Sequence, residues 1–357
     1  MFIGLFLQSC LNEDPQLNES LQSDETLKND QAVKLVTVSD GTSRRTYSFL
    51  SFKDNSALNK TIKRLELEAE HYDDQFIASY PNLSGEQLTE KELEVGFDHY
   101  RIFKNFINKH NFNNSMLNAF MVEEKNWLQN EFLDISNDPN SKYLDAEPEE
   151  MVVLNEDGVV QVGDTIYIQA RNGYITIPNN NINGLFNYLD LLDFSGLGPI
   201  NINWNDVLGF GLDNFSNWYE ELSQPTYNCS QDDRDKEWWH YNSTRKIKGL
   251  VKSHSSQWWG GIYLKSKTVY YRRFWFFGYH WIQTRSASLT AALDGTFAGN
   301  SCGDMYNHLY EDVNFKRKTN KYRVIYKLPG DTPFNITNNE MKGVHKKASW
   351  RREHYLR

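Results

Sequence analysis

The chain has 357 residues, of which 38 are Lys or Arg and 47 are Asp or Glu, and its formal net charge at pH 7 is −9. This length accommodates two or three domains of roughly 100 to 200 residues each, and a hydrophobic fraction of 39% is sufficient for a buried core. No run of residues reaches the ~18 consecutive apolar positions of a bilayer-spanning helix, which excludes a helical transmembrane segment.

The charge is distributed unevenly along the chain. Residues 1–150 contain 14 Lys and Arg against 27 Asp and Glu, a net charge of −13, and residues 151–240 contain 3 against 13, a net charge of −10. Residues 241–357 contain 21 against 7, a net charge of +14. This asymmetry predicts two domains that face each other or a basic domain that binds a polyanion, and a solvated basic β surface is the third interpretation.

The first ten residues form an apolar run that ends in a cysteine. Leu7, three positions before Cys10, and Ser9, directly before it, resemble the lipobox of bacterial lipoproteins, in which the signal peptide is cut just before a lipidated cysteine. The resemblance implies that Cys10 is acylated and attaches the chain to a lipid bilayer. Since a signal peptide begins with a basic n-region and this run has no Lys or Arg, we expect residues 1–10 to be a truncated signal peptide. The alternative is a mobile apolar N-terminus with an unrelated cysteine.

Residues 11–55 are predicted to be a flexible acidic tether. The stretch that begins Leu-Asn-Glu-Asp-Pro and extends to about Asp30 has few large apolar side chains, so burial cannot offset the entropy lost on ordering. Acidic residues directly after the cysteine resemble the surface-export signal of Bacteroidota lipoproteins. That resemblance implies a lipid-anchored, surface-exposed position on the outer membrane.

Residues 56–170 are predicted to be a helical region that ends in a β-hairpin. Apolar residues at spacings of three and four begin with Leu58, Ile62 and Leu65. After a break, Ser84 and Gln87 predict a capping box at the start of a second helix. A third helix is predicted from Ser115 to a stop before Pro139.

The hairpin is predicted from an apolar run at Met151, a turn at residues 156–158 and alternating apolar residues after it. The pair Gly163 and Asp164 is interpreted as a β-turn between strands, in preference to a calcium or catalytic turn. The phrase at residues 154–167, behind a helical segment and a lipobox, resembles Bacteroidota surface lipoproteins of uncharacterised function. The resemblance extends over about residues 90–170 and implies lineage, not an activity.

Residues 171–240 are interpreted as an irregular acidic connecting segment, because Gly, Pro and Asn interrupt short apolar pieces there. Residues 241–357 are predicted to be a basic, aromatic-rich β domain, with strands near residues 247–251, 262–271, 274–284, 287–293 and 322–328. The predicted fold class is therefore α+β, a helical N-terminal region followed by an antiparallel all-β C-terminal domain built as a sandwich or small barrel.

Three cysteines are present, an odd number for an exported chain. Lipidation of Cys10 leaves Cys229 and Cys302 as the candidate disulfide, which would close a long loop worth about 4 kcal/mol in the chain-entropy model. Two buried free thiols are the alternative, because sequence does not show whether the two Cα atoms come within bonding reach.

Motifs for catalysis and metal binding are absent from the sequence. There is no His-x-x-x-His, His-Glu-x-x-His or Cys-x-x-Cys spacing, no Gly-x-Ser-x-Gly elbow and no Gly-x-x-x-x-Gly-Lys loop. We therefore predict no catalytic residue, no metal site and no cofactor, and a non-enzymatic role is favoured. Paired carboxylates for hydrolysis need only a spatial separation, so a hydrolase remains an alternative.

The candidate ligand surface combines flat rings and cations of the C-terminal domain: Trp238, Trp239, Trp258, Trp259, Lys265, Lys267, Arg272 and Arg273. Exposed rings stack on sugars or bases, and the cations would neutralise sulfate, carboxylate or phosphate groups. Adjacent Trp residues on a strand point to opposite faces, so one ring of each pair could be core and its neighbour exposed. The alternative is that all of these rings fill the core.

The sequence thus predicts a membrane-anchored envelope or cell-surface lipoprotein with a binding or adhesion role towards glycan or another polyanion, and no specific nucleic-acid partner. One alternative is a surface glycoside hydrolase or other hydrolase with a carboxylate cleft near residues 200–240, where acids and aromatics concentrate. The other is a structural partner of another envelope protein, which would contact that protein through the basic face.

Overall fold

A computed structural model describes residues 33–39, 45–130, 133–143, 146–170, 173–179, 181–195, 233–256, 261–274, 280–298, 305–327 and 342–355. The helices within them are α1 Asn55–Ser79, α2 Gly85–Val95, α3 Arg101–His110, α4 Met116–Leu128, α5 Pro139–Lys142, α6 Pro148–Met151 and α7 Ile182–Ser195. The strands are β1 Val33–Ser39, β2 Thr46–Phe52, β3 Val159–Val162, β4 Thr165–Ala170, β5 Gly173–Pro178, β6 Asp233–Asn242, β7 Arg245–Ser256, β8 Gly261–Phe274, β9 His280–Gln283, β10 Ser288–Ala298, β11 Met305–Phe315, β12 Thr319–Lys327, β13 Lys342–Lys347 and β14 Trp350–Tyr355. Among these residues, no helix combines the length and the hydropathy needed to cross a bilayer.

Five strands in the order β1-β2-β3-β4-β5 form the N-terminal sheet. Its neighbouring strands are antiparallel except β2 and β3, which run parallel with Ser51 opposite Gln161. Successive side chains of a strand point to opposite faces, so Leu50 packs with the helices on one face while Phe49 packs with α7 on the other.

Strands β1 and β2 lie inside the segment 11–55 that was predicted to be a flexible tether, and that prediction is wrong for these strands. Phe49, Leu50 and Phe52 are at most 1% exposed, so β2 buries enough apolar surface to be ordered. The predicted tether up to residue 32 and the signal peptide with Cys10 lie outside the described residues.

Local signals in the helical region are largely confirmed. The backbone N–H of Gln87 donates to Ser84 Oγ, and the Gln87 side chain accepts from the Ser84 backbone N–H, which completes the predicted capping box. Helix α4 starts directly after its cap Ser115, at the predicted place, but it ends at Leu128, well before Pro139. Pro139 instead begins the short helix α5, where its missing N–H costs nothing.

The predicted hairpin exists as β3 and β4, but its turn is Gly163-Asp164 and not residues 156–158. Gly163 has φ of 59°, the left-handed backbone that glycine adopts without strain. Asn155 Oδ1 accepts hydrogen bonds from the backbone N–H of Asp157 and Val159, so residues 156–158 are a side-chain-stabilised turn that leads into β3.

Two antiparallel sheets form the C-terminal region, which confirms the α+β class. The inner sheet has the order β12-β8-β7-β6 with β9 beside β8, and the outer sheet has the order β11-β10-β13-β14. They pack on each other through β10 and β13, as expected for the sandwich alternative. The predicted boundary at residue 240 is late, because β6 begins at Asp233, and the segment 171–240 contains β5 and α7 where irregular structure was predicted.

Candidate functional site

The inner sheet lies between the outer sheet and the helical layer, by which we mean helices α1 to α6. Alternation along β8 directs Lys265 and Lys267 towards the helical layer, while Thr268 and Tyr270 lie between the two sheets. Lys248 on β7 also faces the helical layer, where its Nζ lies 3.0 Å from an oxygen of Asp138. One face of the inner sheet is therefore basic and is covered by acidic helices.

Ion pairs join the helical layer to the inner sheet and its connecting loops. Each involves an acidic side chain from the first 150 residues and one or more cations from beyond residue 235: Glu66 with Lys321 and Arg323, Asp73 with Arg285 and Arg317, Glu86 with Arg245 and Arg272, Glu92 with Arg285 and Lys318, Asp138 with Lys236 and Lys248, and Glu147 with Lys265 and Lys267. The opposite charges of the two regions thus meet inside the chain, as the first interpretation of the charge asymmetry predicted.

The four cations of the predicted ligand surface have different positions from those expected. Lys265 is 0% exposed and pairs with Glu147, and Lys267 Nζ lies 2.9 Å from the same carboxylate. Arg272 contacts Glu90 at 3.2 Å and Arg273 is half-buried. An exposed position is therefore wrong for Lys265, because strand alternation turns it towards the helices. Lys267 points the same way and lines a cavity between the helices and the sheet.

Trp238 and Trp239 point to opposite faces of β6, as strand geometry predicts. The Trp238 ring lies 5.7 Å from Trp127 of the helical layer, while the Trp239 ring lies 5.4 Å from Trp350 of the outer sheet. Both rings are half-buried against a neighbouring layer, so packing describes them better than a ligand surface. Trp258, Trp259, Cys229 and Cys302 lie outside the described residues.

A cavity of about 820 Å³ lies between the helical layer and the inner sheet. Small-molecule pockets typically have about 300 to 1,000 Å³, so this volume is sufficient for an oligosaccharide fragment or a metabolite. Its wall combines paired acids and cations with the rings of Phe97, Tyr100, Phe103 and Phe120. The carboxylate cleft predicted near residues 200–240 lies mostly outside the described residues; the sequence signal for the cavity found here was the charge asymmetry.

One part of the wall is organised around Arg285, which is 0% exposed. Its guanidinium contacts Asp73 and donates from Nε to Glu92 at 2.7 Å, and Lys318 lies 2.8 Å from Glu92. Burial raises the pKa of Glu92, but the hydrogen bond with His99 and the nearby cations lower it to about 2.

The ligand atoms of Asp73, Glu92 and His99 lie within 4.8 Å of one another, a spacing that suits a metal ion. However, Arg285 already contacts both carboxylates, and Lys318 contacts Glu92. A divalent cation would be repelled by these charges at short range, so the arrangement is that of a buried salt-bridge cluster.

A second part of the wall places Glu66 and Glu149 around one ammonium group. Lys321 Nζ lies 2.9 Å from Glu66 and 2.6 Å from Glu149. Burial raises the pKa of both acids, but Lys321 and Arg323 lower the pKa of Glu66 to about 2, whereas Glu147 and Glu66 add to the rise at Glu149. Of these two neighbouring carboxyl groups, Glu66 therefore has a lowered pKa and Glu149 a raised pKa.

Glu124 of α4 differs from the other buried acids of the cavity. Tyr100 Oη donates to one of its oxygens and Gln283 Nε2 to the other, both at 2.7 Å, and the residue is 7% exposed. No Lys or Arg of the described residues forms an ion pair with it. Burial raises its pKa, which the hydrogen bond from Tyr100 only partly counteracts.

Glu124 was missed by sequence reasoning because nothing in the local sequence distinguishes it from the adjacent Glu123.

Comparison of the chain with models of known protein families, with curated proteins and with solved structures gives no match.

Proposed function

We propose that this chain is an envelope lipoprotein, anchored to the outer membrane through acylated Cys10 and exposed at the cell surface, whose cavity binds a glycan. The observation that carries the binding proposal is the cavity of about 820 Å³ between the helical layer and the inner sheet. The resemblance of residues 7–10 to a lipobox and the acidic residues after it support the anchor.

The composition of the cavity wall supports a glycan over a polyanion. The cations that would neutralise a polyanion are already paired, as with Lys321 between Glu66 and Glu149. A sugar needs hydrogen-bond donors and acceptors for its hydroxyls and an apolar surface for its ring faces. Paired carboxylates retain unused lone pairs, and the rings of Phe97 and Phe103 supply apolar surface.

A glycan array probed with the full chain tests the binding proposal. Ala69 lines the cavity on α1 and Ala78 is exposed on the same helix, so Ala69→Phe fills the cavity and Ala78→Phe is its matched control. We expect at least one glycan to be retained by the wild type and by Ala78→Phe but not by Ala69→Phe. An empty array, or equal retention by both variants, would refute the proposal.

The anchor has a separate test in cells. A chain supplied with a complete signal peptide is labelled with a radioactive fatty acid, both as wild type and as Cys10→Ala. We expect label in the wild type alone, and equal labelling would refute lipidation at this cysteine.

A second candidate function is glycoside hydrolysis in the same cavity. The observation that favours it is the raised pKa of Glu149 beside the lowered pKa of Glu147, because glycosidases need one protonated and one ionised carboxyl group. Glu147 is, however, already bound by Lys265 and Lys267, which favours binding over chemistry. Release of reducing ends from a retained glycan, abolished by Glu149→Gln, would establish hydrolysis.

A further inference from the structure

Among the described residues, the buried acids that line the cavity are matched by cations with one exception; Glu70 and Asp312, which also line it, are more exposed. Glu66, Asp73, Glu92, Glu147 and Glu149 each have a Lys or Arg within ion-pair distance. Glu124, equally buried, has only the neutral donors Tyr100 and Gln283 among the described residues. The cavity therefore contains one buried carboxylate whose charge none of the described residues neutralises by direct contact.

We infer that Glu124 is the counter-ion for a primary amine of the ligand, so that the glycan bound in the cavity is an amino sugar; this inference rests on the proposed function. An ionised carboxylate accepts about four hydrogen bonds, and Glu124 uses two of them. A protonated amine would occupy a remaining lone pair and supply the missing positive charge. Hydrogen bonds between ionised partners are about twice as strong as neutral ones.

The groups around Glu124 leave this role open to a ligand. The nearest cations, Lys248 of β7 and Lys267 of β8, act on Glu124 through space but make their contacts with Asp138 and Glu147. Asp138 at the start of α5 adds negative charge nearby, and Tyr100 is neutral because its own pKa is raised by burial and by Glu124. The two lysines thus favour the ionised form of Glu124 and Asp138 opposes it, while the direct contacts of its oxygens are with the neutral Tyr100 and Gln283.

Binding of the amine should also change the protonation of Glu124. Burial raises the pKa of Glu124, so the ligand-free carboxyl group keeps its proton to a higher pH than an ordinary glutamate does. At a pH where it does so, the amine arrives protonated and stays so, Glu124 ionises, and its proton passes to solvent. Uptake of an amino sugar should thus release protons, whereas uptake of an uncharged sugar should not.

Titration calorimetry with the full chain tests the inference. The probes are glucosamine and its β-1,4-linked trimer, each compared with its N-acetylated counterpart, in buffers of different ionisation enthalpy. We expect the amino sugars to bind roughly tenfold to a hundredfold more tightly, with proton release, since a hydrogen bond to a charged group contributes about 1.5 to 3 kcal/mol.

Glu124→Gln keeps the shape of the side chain and should abolish both the preference and the proton release. Glu123→Gln, on the same helix but paired with Lys142 outside the cavity wall, is the matched control and should behave as the wild type. Equal affinity for the amino and N-acetylated sugars, or a preference that survives Glu124→Gln, overturns the inference alone. Absence of any sugar binding, here and on the array, overturns the proposed function and the inference together.

Discussion

The two faces of the inner sheet are held by different forces. Towards the outer sheet, Ile247 and Leu289 are 0% exposed, and a hydrogen bond of 2.7 Å joins His345 Nδ1 and Thr268 Oγ1. Towards the helical layer, Lys265 and Arg285 are equally buried but are held by carboxylates. Both faces of the inner sheet are thus buried, but the helical side adds charge pairing to apolar contacts such as that of Trp127 with Tyr271.

This difference explains where the cavity lies. Apolar contact is non-directional, so side chains between the two sheets fill the space available to them. A buried ion pair is favourable only when its partners keep their geometry, so the helices are held at fixed positions over the sheet. Space between pairs such as Arg285 with Glu92 and Lys321 with Glu66 then remains open, and its walls remain polar.

Lowering the pH should cause the largest difference in stability between the charged and the apolar face of the inner sheet. Glu66 and Glu92 have pKa values near 2 in the fold, below the ordinary value of 4.5. The stability that they contribute is fully present above about pH 4.5 and is lost as the pH falls towards 2. Since one pKa unit corresponds to about 1.4 kcal/mol, we expect a loss of several kcal/mol, which the raised pKa values of Glu124 and Glu149 partly offset. Urea unfolding followed by Trp fluorescence at pH 7, 4.5 and 3 measures it; a free energy of unfolding unchanged below pH 4.5 would contradict this account.

The next largest effect is expected from one ion pair of the charged face. Glu147→Ala leaves the buried Lys265 and Lys267 without their carboxylate and should lower the free energy of unfolding by about 3 to 5 kcal/mol. Replacing both lysines by Met in the same chain should recover much of the loss, because the uncompensated charges are then gone. A loss below about 1 kcal/mol in the single variant would show that Glu147 does not hold the layers together.

The apolar face should respond through volume and not through charge. Leu289→Ala leaves a cavity between the sheets and should cost about 3 kcal/mol in unfolding free energy. We expect the same cost at pH 7 and at pH 4, because no titrating group is removed. A cost that changes strongly between these two pH values would mean that the faces are not independent.

The smallest effect is expected at the surface of the outer sheet. Lys346 Nζ lies 2.6 Å from Glu311, but the two side chains are 29% and 46% exposed. Lys346→Ala should therefore change the unfolding free energy by less than about 1 kcal/mol, and added salt should remove the difference. A loss comparable with that of Glu147→Ala would show that burial is not what makes the inner pairs strong.

Local signals in the sequence predicted those elements whose partners are close in the chain. The capping box of Ser84 and Gln87 and the β-turn at Gly163 and Asp164 depend on residues a few positions apart. Strand β2 was missed although its partner β1 is close in the chain. Its apolar side chains are buried by helices and by α7, which lie farther along the chain, and a local pattern does not show that burial. Strand β14 was missed because it reads Trp-Arg-Arg-Glu-His-Tyr, and its pairing with β13 overrides that composition.

The candidate site was predictable only in outline. The charge asymmetry indicated that the two regions could face each other, but which acid meets which cation depends on strand register and on helix position. Glu123 and Glu124 are adjacent and chemically identical, yet the first pairs with Lys142 and the second lines the cavity. The rotation of α4 against the inner sheet decides which of the two glutamates faces the cavity. The amino-acid composition does not predict that rotation.

The parallel pairing of β2 and β3 has a consequence for the order of folding. Ser51 lies beside Gln161, so the whole helical layer is a loop between two adjacent strands. During synthesis the β1–β2 hairpin leaves the ribosome long before its partner strand exists, and the entropy of closing so long a loop delays the pairing. If the chain hangs from a lipid at Cys10, mechanical load also enters at β1, the edge of this sheet. The late pairing of β2 with β3 thus lies one strand away from the edge strand that would be pulled first.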